Sequence, residues 1–180
     1  MSFWQNLSKP IVGLSPMDGV TDISFREIVK AHGNPNVLFT EFAHVLALWR
    51  GKLEVYQSLL FTDRQHPIVA QIFGSEPEYF YKAAHIVCEL GFDGIDINMG
   101  CPASTIVKRG GGACLITTPK LAQEIVKQAQ QGVTDWAQGQ TLKDIGLDRE
   151  KINYIQRLNT AHQGKRKLLP ISVKTRIGYK

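Results

Sequence analysis

The sequence predicts an α/β fold in which a parallel sheet is covered by helices. Two observations predict it: short apolar runs alternate with stretches of helical period, and those runs are apolar almost throughout, as strands buried on both faces are. A third observation concerns where the runs stop, because several end on a polar side chain. A doubly wound sheet and a (β/α)8 barrel both satisfy the alternation, and the strand tips bear on the choice.

Ile11-Val12-Gly13-Leu14-Ser15, followed by Pro16, fits a first buried strand. Residues 21–32 have helical period, with Thr21 or Asp22 as N-cap, Phe25, Ile28 and Val29 as the buried stripe, and Gly33 as the stop. Residues 37–40 form a second strand ending near Glu41, and a helical stretch follows over about 53–61. The third strand is 67–72. Ser75 with Glu78 makes a capping-box pattern, opening a helix whose Phe80, Ala83, Ala84, Val87 and Leu90 share a face and which Gly91 ends. Cys88 lies among those apolar positions and reads as packing. The fourth strand is 94–98. Thr118-Pro119 opens another helix with Pro at its first position, and Leu121, Ile125 and Ala129 share its inner face. The fifth strand is 170–174. Between 132 and 169 the rhythm breaks, since a return to the next strand needs only a short loop. This stretch reads as an insertion, with an extra helix over 148–161 through Ile152, Ile155 and Leu158 and loop elsewhere.

At 180 residues, 43% apolar and 21% charged, the chain has the balance of a soluble globular domain. No window holds the ~18 consecutive apolar residues of a membrane span. The opening MSFWQNLSKP lacks the apolar core of a secretion signal, so the expected location is the cytoplasm. A formal charge of +5 permits an RNA partner without requiring one, and the densest basic run, Lys165-Arg166-Lys167, reads as a solvated loop. Cys88, Cys101 and Cys114 form no CxxC pair and match no Cys–His zinc spacing, so neither a metal site nor a disulfide is expected.

The third strand ends in Gln71, the fourth in Asn98 and the fifth in Lys174. In a barrel, the last inward residue of each strand faces the ligand. Buried amides and ammonium groups are costly without partners. A flat heterocycle rich in carbonyls and ring nitrogens would supply them; water at the rim is the alternative. Asp96 lies one pleat below Asn98 and needs a partner, for which the Lys174 ammonium is the candidate. Next comes Met99-Gly100-Cys101-Pro102, where Gly permits an unusual turn and Pro stiffens the exit. The loop sets a thiol above the strand ends. A free thiol titrates near about 8.5, so near neutrality it carries a proton it can donate. The run Lys108-Arg109-Gly110-Gly111-Gly112-Ala113 matches neither a P-loop nor a dinucleotide fingerprint and reads as a mobile hinge for the Cys101 loop. Cys114 reads as packing at the start of the next helix.

Several segments together resemble the tRNA-dihydrouridine synthase family. They are Ser15-Pro16-Met17-Asp18-Gly19-Val20-Thr21-Asp22 with Phe25-Arg26, Gln71-Ile72-Phe73-Gly74, Asp96-Ile97-Asn98-Met99-Gly100-Cys101-Pro102, the Gly110 to Ala113 run, and Val173-Lys174-Thr175-Arg176-Ile177-Gly178. The resemblance covers most of 11–131 and 168–180, with Asn-Met-Gly-Cys-Pro its most specific piece. Ser15 and Asp18 stand where the family usually has Ala, and the 132–169 insertion exceeds the family's usual connection.

The resemblance implies a (β/α)8 TIM barrel truncated here after about five strands. Residues 1–180 would then be a partial FMN-binding domain, with the last strands and a helical tRNA-binding domain absent from this chain. It also implies the chemistry: FMN reduced by NADPH, hydride passed to C6 of a uracil in tRNA, and C5 protonated by Cys101 as general acid. Pro16, Met17, Asp18, Gln71 and Lys174 would hold the flavin, Lys174 near its N1/O2 edge. Asn98 and Arg176 would meet the substrate. No metal is implied. Two alternatives stay open: another FMN barrel resembling a dihydroorotate dehydrogenase, and a catalytically inactive fragment.

Overall fold

Five parallel strands lie side by side in chain order in the computed structural model, which describes residues 2–158 and 166–178. They are β1 (Gly13–Leu14), β2 (Val37–His44), β3 (Ile68–Phe73), β4 (Gly94–Met99) and β5 (Ile171–Thr175). The helices are α1 (Ile23–Gly33), α2 (Val45–Arg50), α3 (Leu53–Ser58), α4 (Pro77–Glu89), α5 (Ser104–Val107), α6 (Pro119–Ala137) and α7 (Arg149–Leu158). A doubly wound sheet reverses its strand order at a switch point. Here the order is strictly sequential, and the sheet curls into a half-barrel clad in helices, as successive units of a (β/α)8 barrel do.

The period-two alternation of the strands divides the core. Ala70 and Ile72 of β3 and Ile95 and Ile97 of β4 join a cluster with Phe80, Ala84 and Val87 of α4 and Ile125 and Ala129 of α6. All of these are essentially solvent-free. Each large apolar side chain buried this way contributes about 1.5–3 kcal/mol. Helices α4 and α6 approach closely at Gly132, where a Cβ would stand 2.4 Å from the Tyr81 carbonyl oxygen and 3.0 Å from the Ala84 Cβ. Cys88 is buried in this layer, and burial drives its thiol pKa far up, as expected of an inert packing residue.

Several local expectations are corrected. In α1 the apolar stripe is not the buried one: Ile28 is 61% exposed and Phe25 is exposed, whereas Arg26 is fully buried. The Arg26 guanidinium sets the helix's rotation. Its Nε donates to Gln65 Oε1 at 3.0 Å, Nη1 donates to the Thr21 carbonyl at 2.5 Å, and Nη2 donates to the Leu60 carbonyl. Three charge-assisted bonds outweigh two apolar contacts. Burial pulls the Arg26 pKa down to about 10, against the raising pull of Glu41, Asp22 and Glu27. Gly33 remains helical and Asn34 takes the left-handed cap position.

The second strand runs past Glu41 to His44 through a bulge between Phe39 and Phe42, and the helical stretch after it is two short helices, α2 and α3. Ser75 and Glu78 form no capping box. Glu76 is the N-cap residue of α4, its carboxylate accepts from the Ser75 N–H, and Glu78 pairs instead with Lys82. Pro77 already removes one of the donors that a cap would satisfy.

Helix α6 continues to Ala137, into the stretch read as insertion, because Val133 and Trp136 remain buried. Helix α7 uses Ile155 as its buried residue, with Ile152 and Leu158 packed beside it; residues 159–161 of the expected helix lie outside the described residues. Arg166 and Lys167 of the basic run lie exposed in a loop, as expected, and both are tethered. Arg166 stacks over Trp136 and donates to the Trp136 and Gln140 carbonyls, and Lys167 pairs with Asp93 at 3.1 Å. Lys165 lies outside the described residues. Among the described residues, no helix is long and apolar enough to cross a membrane.

Candidate functional site

Because the strands are parallel, their C-terminal ends form one rim, and the candidate site residues read from the sequence lie at or near it. Pro16, Met17 and Asp18 follow β1, Gln71 is in β3, Asn98 is the last residue but one of β4 with Cys101 just beyond that strand, and Lys174 is the last residue but one of β5 with Arg176 just past it. Strand register aligns Gln71 with Asp96, Asp96 with Ser172, and Asn98 with Lys174.

A continuous hydrogen-bonded chain runs across this rim. The Ser172 hydroxyl donates to Asp96 Oδ1 at 2.7 Å. Gln71 Nε2 donates to Asp96 Oδ2 at 2.6 Å, and Asn98 Nδ2 donates to Gln71 Oε1 at 3.0 Å. Asn98 Oδ1 then accepts from the backbone N–H groups of Gly100, at 3.1 Å, and Cys101, at 2.9 Å. The three strand residues are buried, with Gln71 at 0%, Asp96 at 3% and Asn98 at 8% exposure. In the low dielectric of such a site each bond is strengthened, and an unmade one would be costly. Lys174 is not the direct partner of Asp96, and among the described residues the two form no ion pair. Burial raises the Asp96 pKa, while the bonds from Ser172 and Gln71 and the field of Lys174 act against that rise. Ser172 took the place foreseen for the lysine because it lies directly opposite Asp96 in the register.

The Cys101 loop is gripped from both sides. Gly100 takes no positive φ. It provides close approach instead, since a Cβ there would meet Lys174 O at 3.4 Å and Thr175 C at 3.3 Å. On the other side, the Ala113 N–H donates to the Cys101 carbonyl at 2.9 Å, and a Cβ on Gly112 would lie 2.5 Å from that same oxygen. Gly111 abuts the Gly74 carbonyl in the same way, at 3.0 Å. The glycine run is therefore a clamp rather than a hinge: residues without side chains let two loops touch backbone to backbone. Cys101 is half-buried. Cys114 lies half-buried on the 3-10 turn Gly112–Thr117, with its Sγ 3.9 Å from Thr117 Oγ1.

At the opposite edge the turn after β1 is closed on itself. Thr21 Oγ1 accepts from the Met17 N–H at 3.0 Å and donates to the Met17 carbonyl at 3.1 Å. The Gly19 N–H donates to Glu41 Oε1 at 2.6 Å, tying the turn to β2. The backbone of Met17 is thus engaged internally, and its side chain is exposed. No described contact joins this turn to the Cys101 loop; the two share the rim.

Thr40 and Ser172 were not foreseen. The Thr40 hydroxyl, at the β2 bulge, accepts from the Gln71 N–H at 3.1 Å. The signal for Ser172 was a small polar residue inside an apolar strand, two positions before Lys174. A cleft of about 280 Å³ opens beside the loop, lined by His44, Phe73, Ser75, Thr105, Arg109 and Gly111 among others. His44 is held below its ordinary pKa by burial. Among the described residues no group of His, Cys, Asp or Glu could hold a metal ion.

Residues 13–165 match the dihydrouridine synthase family. Over 99% of its length the chain is 37% identical to a Bacillus subtilis (strain 168) protein named "Probable tRNA-dihydrouridine synthase 2", covering 45% of that protein. It is 34% identical over 99% of its length to proteins named "Probable tRNA-dihydrouridine synthase" from Staphylococcus aureus (strain Mu50) and Staphylococcus epidermidis (strain RP62A), covering 44% of each. The chain thus spans less than half the length of these curated relatives. A match running from β1 through α7, over a rim built as described, makes this chain a member of the dihydrouridine synthase family.

Proposed function

We propose that this chain carries the proton donor and part of the flavin platform for reducing uridine to 5,6-dihydrouridine in tRNA. The observation that carries the reading is the Cys101 loop, pinned at the tip of β4 by the Asn98 amide and packed against the end of β5 beside Lys174.

The rim suits FMN in its donor set. Lys174 is exposed and makes no ion pair among the described residues, so its ammonium is available to the anionic edge of the ring system. Gln71 is buried below the rim, bonded to Asp96 and Asn98, and would offer the remaining N–H and lone pair of its amide to a pyrimidine edge that reached down to it. Pro16, the Met17 side chain and Asp18 line the far side of the rim. When bound there, FMN recharged by NADPH would supply the hydride for C6 of the uracil. Cys101 gives its thiol proton to C5 and is left as a thiolate, which regains a proton from solvent. Asn98 holds the loop so that the sulfur stays above the rim, and Arg176, exposed just past β5, would meet substrate. The target base leaves its stack to reach such a rim, at a cost of about a few kcal/mol. Arg109 in the adjoining cleft offers a cation to the RNA backbone. The cytoplasm is the location that fits a tRNA substrate.

The test is Cys101→Ala in the holoenzyme. FMN binding and reduction by NADPH should persist, while uridine reduction on unmodified tRNA should fall by about 10²–10⁴-fold. Undiminished turnover would remove Cys101 from this role.

A further inference from the structure

Asp96 touches neither the rim's surface nor Cys101, yet its chemistry decides how the loop carrying the thiol is held. An ionised carboxylate only accepts hydrogen bonds, whereas a primary amide has a donor end and an acceptor end. Facing Asp96, Gln71 must present Nε2, as it does at 2.6 Å. Its Oε1 is then turned toward Asn98, which must answer with Nδ2, as it does at 3.0 Å. That leaves Asn98 Oδ1 pointing outward, where the N–H groups of Gly100 and Cys101 need an acceptor. The two backbone donors demand the same polarity that the carboxylate imposes, so both ends of the relay agree. Reversing either amide would set donor against donor at the loop or acceptor against acceptor at Asp96.

We infer that Asp96 is a positioning residue for Cys101: it fixes the polarity of a two-amide relay, through Gln71 and Asn98, that anchors the loop bearing the thiol. Its partners explain why a carboxylate is tolerated at 3% exposure. The hydroxyl of Ser172 occupies one oxygen, Gln71 occupies the other, and Lys174 supplies the field of a nearby cation. The inference deepens the proposed function and rests on it for its catalytic consequence, but its test needs neither flavin nor RNA. A failed polarity test leaves the role of Cys101 standing, and loss of that role leaves the relay intact.

The test is an isosteric exchange of the two ends. In Asn98→Asp two carboxylates flank the single Gln71 amide, and one of them must face Oε1. The double variant Asp96→Asn/Asn98→Asp restores a consistent relay. The amide introduced at position 96 donates to Gln71 Oε1 and accepts from Ser172, Gln71 Nε2 donates to the carboxylate introduced at position 98, and that carboxylate still accepts from Gly100 and Cys101. Asn98→Asp should lower the folding equilibrium constant at neutral pH by about tenfold or more, and the double variant should recover most of it. Hydrogen exchange of the Gly100 and Cys101 amides, measured against the amides of α4, should return to within about twofold of wild type in the double variant. A role in packing alone predicts no rescue, because Asp and Asn have the same shape. A double variant no more stable than Asn98→Asp, or an Asn98→Asp variant as stable as wild type, would overturn the inference.

Discussion

Replacing Gly112 with Ala isolates what the glycine clamp contributes. Gly112 has φ +56°, and Gly19, in the turn after β1, has φ +70°. An alanine at either position bears the left-handed backbone penalty of about 1–2 kcal/mol. At Gly19 nothing lies within 4 Å of the added Cβ, so that penalty is the whole effect. At Gly112 the Cβ would stand 2.5 Å from the Cys101 carbonyl oxygen and 3.0 Å from Ile106 Cγ2. The two loops must separate by roughly an ångström to restore ordinary contact. That separation breaks the Ala113 N–H bond to the same oxygen, worth about 0.5–1.5 kcal/mol, and overpacking adds about 1–3 kcal/mol. The expected loss is therefore about 2.5–6.5 kcal/mol for Gly112→Ala and about 1–2 kcal/mol for Gly19→Ala. Urea unfolding with an unchanged m-value measures both. Hydrogen exchange at the Cys101 amide should rise in the first variant alone. Equal losses within about 0.5 kcal/mol, or an undisturbed Cys101 amide in Gly112→Ala, would refute the clamp.

Three further outcomes follow from the structure. Arg26→Met orphans the Thr21 and Leu60 carbonyls and Gln65 Oε1; relief of the buried charge offsets part of this, for a net loss of about 2–5 kcal/mol in urea unfolding. Asp93 has a lowered pKa: burial pushes it up, but the bonds from His66 and the Ile68 N–H prevail. A lowered carboxylate stabilises the fold above its unfolded value, near 3.8, and the gain is lost as pH falls through the folded value. Asp93→Asn should therefore flatten the decline of thermal midpoint below about pH 4, and a profile as steep as wild type would contradict the assignment. Lys174→Ala should weaken FMN binding in the holoenzyme by about tenfold or raise the energy of its reduced form; unchanged affinity and redox potential would count against the ammonium's role.

Strand positions and their tips were legible because they depend on local signals. An apolar run of about five residues flanked by Gly or Pro reads as a strand wherever it lies, and Gln71, Asn98 and Lys174 each follow such a run directly. The wiring between tips was not legible. It depends on register, and only the register places Ser172, rather than Lys174, opposite Asp96. The buried face of α1 was not legible for a related reason. Periodicity ranks residues by hydrophobicity, and no local signal announces that Thr21, Leu60 and Gln65 converge on one guanidinium. The glycine run was legible as unusual, but its partner, the carbonyl of Cys101, is reached through the fold.

Two buried polar networks, one around Arg26 and one around Asp96, differ in a way that separates architecture from chemistry. Arg26 is as buried as Gln71, and each of its bonds ends on a carbonyl or amide oxygen within the scaffold. Its network closes on itself, so its effect is to fix a helix. The Asp96 network does not close. It passes through Gln71 and Asn98 and ends on the backbone of a loop whose thiol is half-exposed, beside a lysine free of ion pairs among the described residues. A protein that needed only stability could fill those inward positions with apolar side chains, since replacing both partners of a buried pair is often neutral or favourable. Holding a carboxylate there, with its pKa raised by burial, costs stability that a structural role does not require. What the polar chain provides, and an apolar core cannot, is orientation. It fixes one reactive side chain to the end of a rigid strand, which is the requirement of a group that must meet a substrate atom in a single geometry.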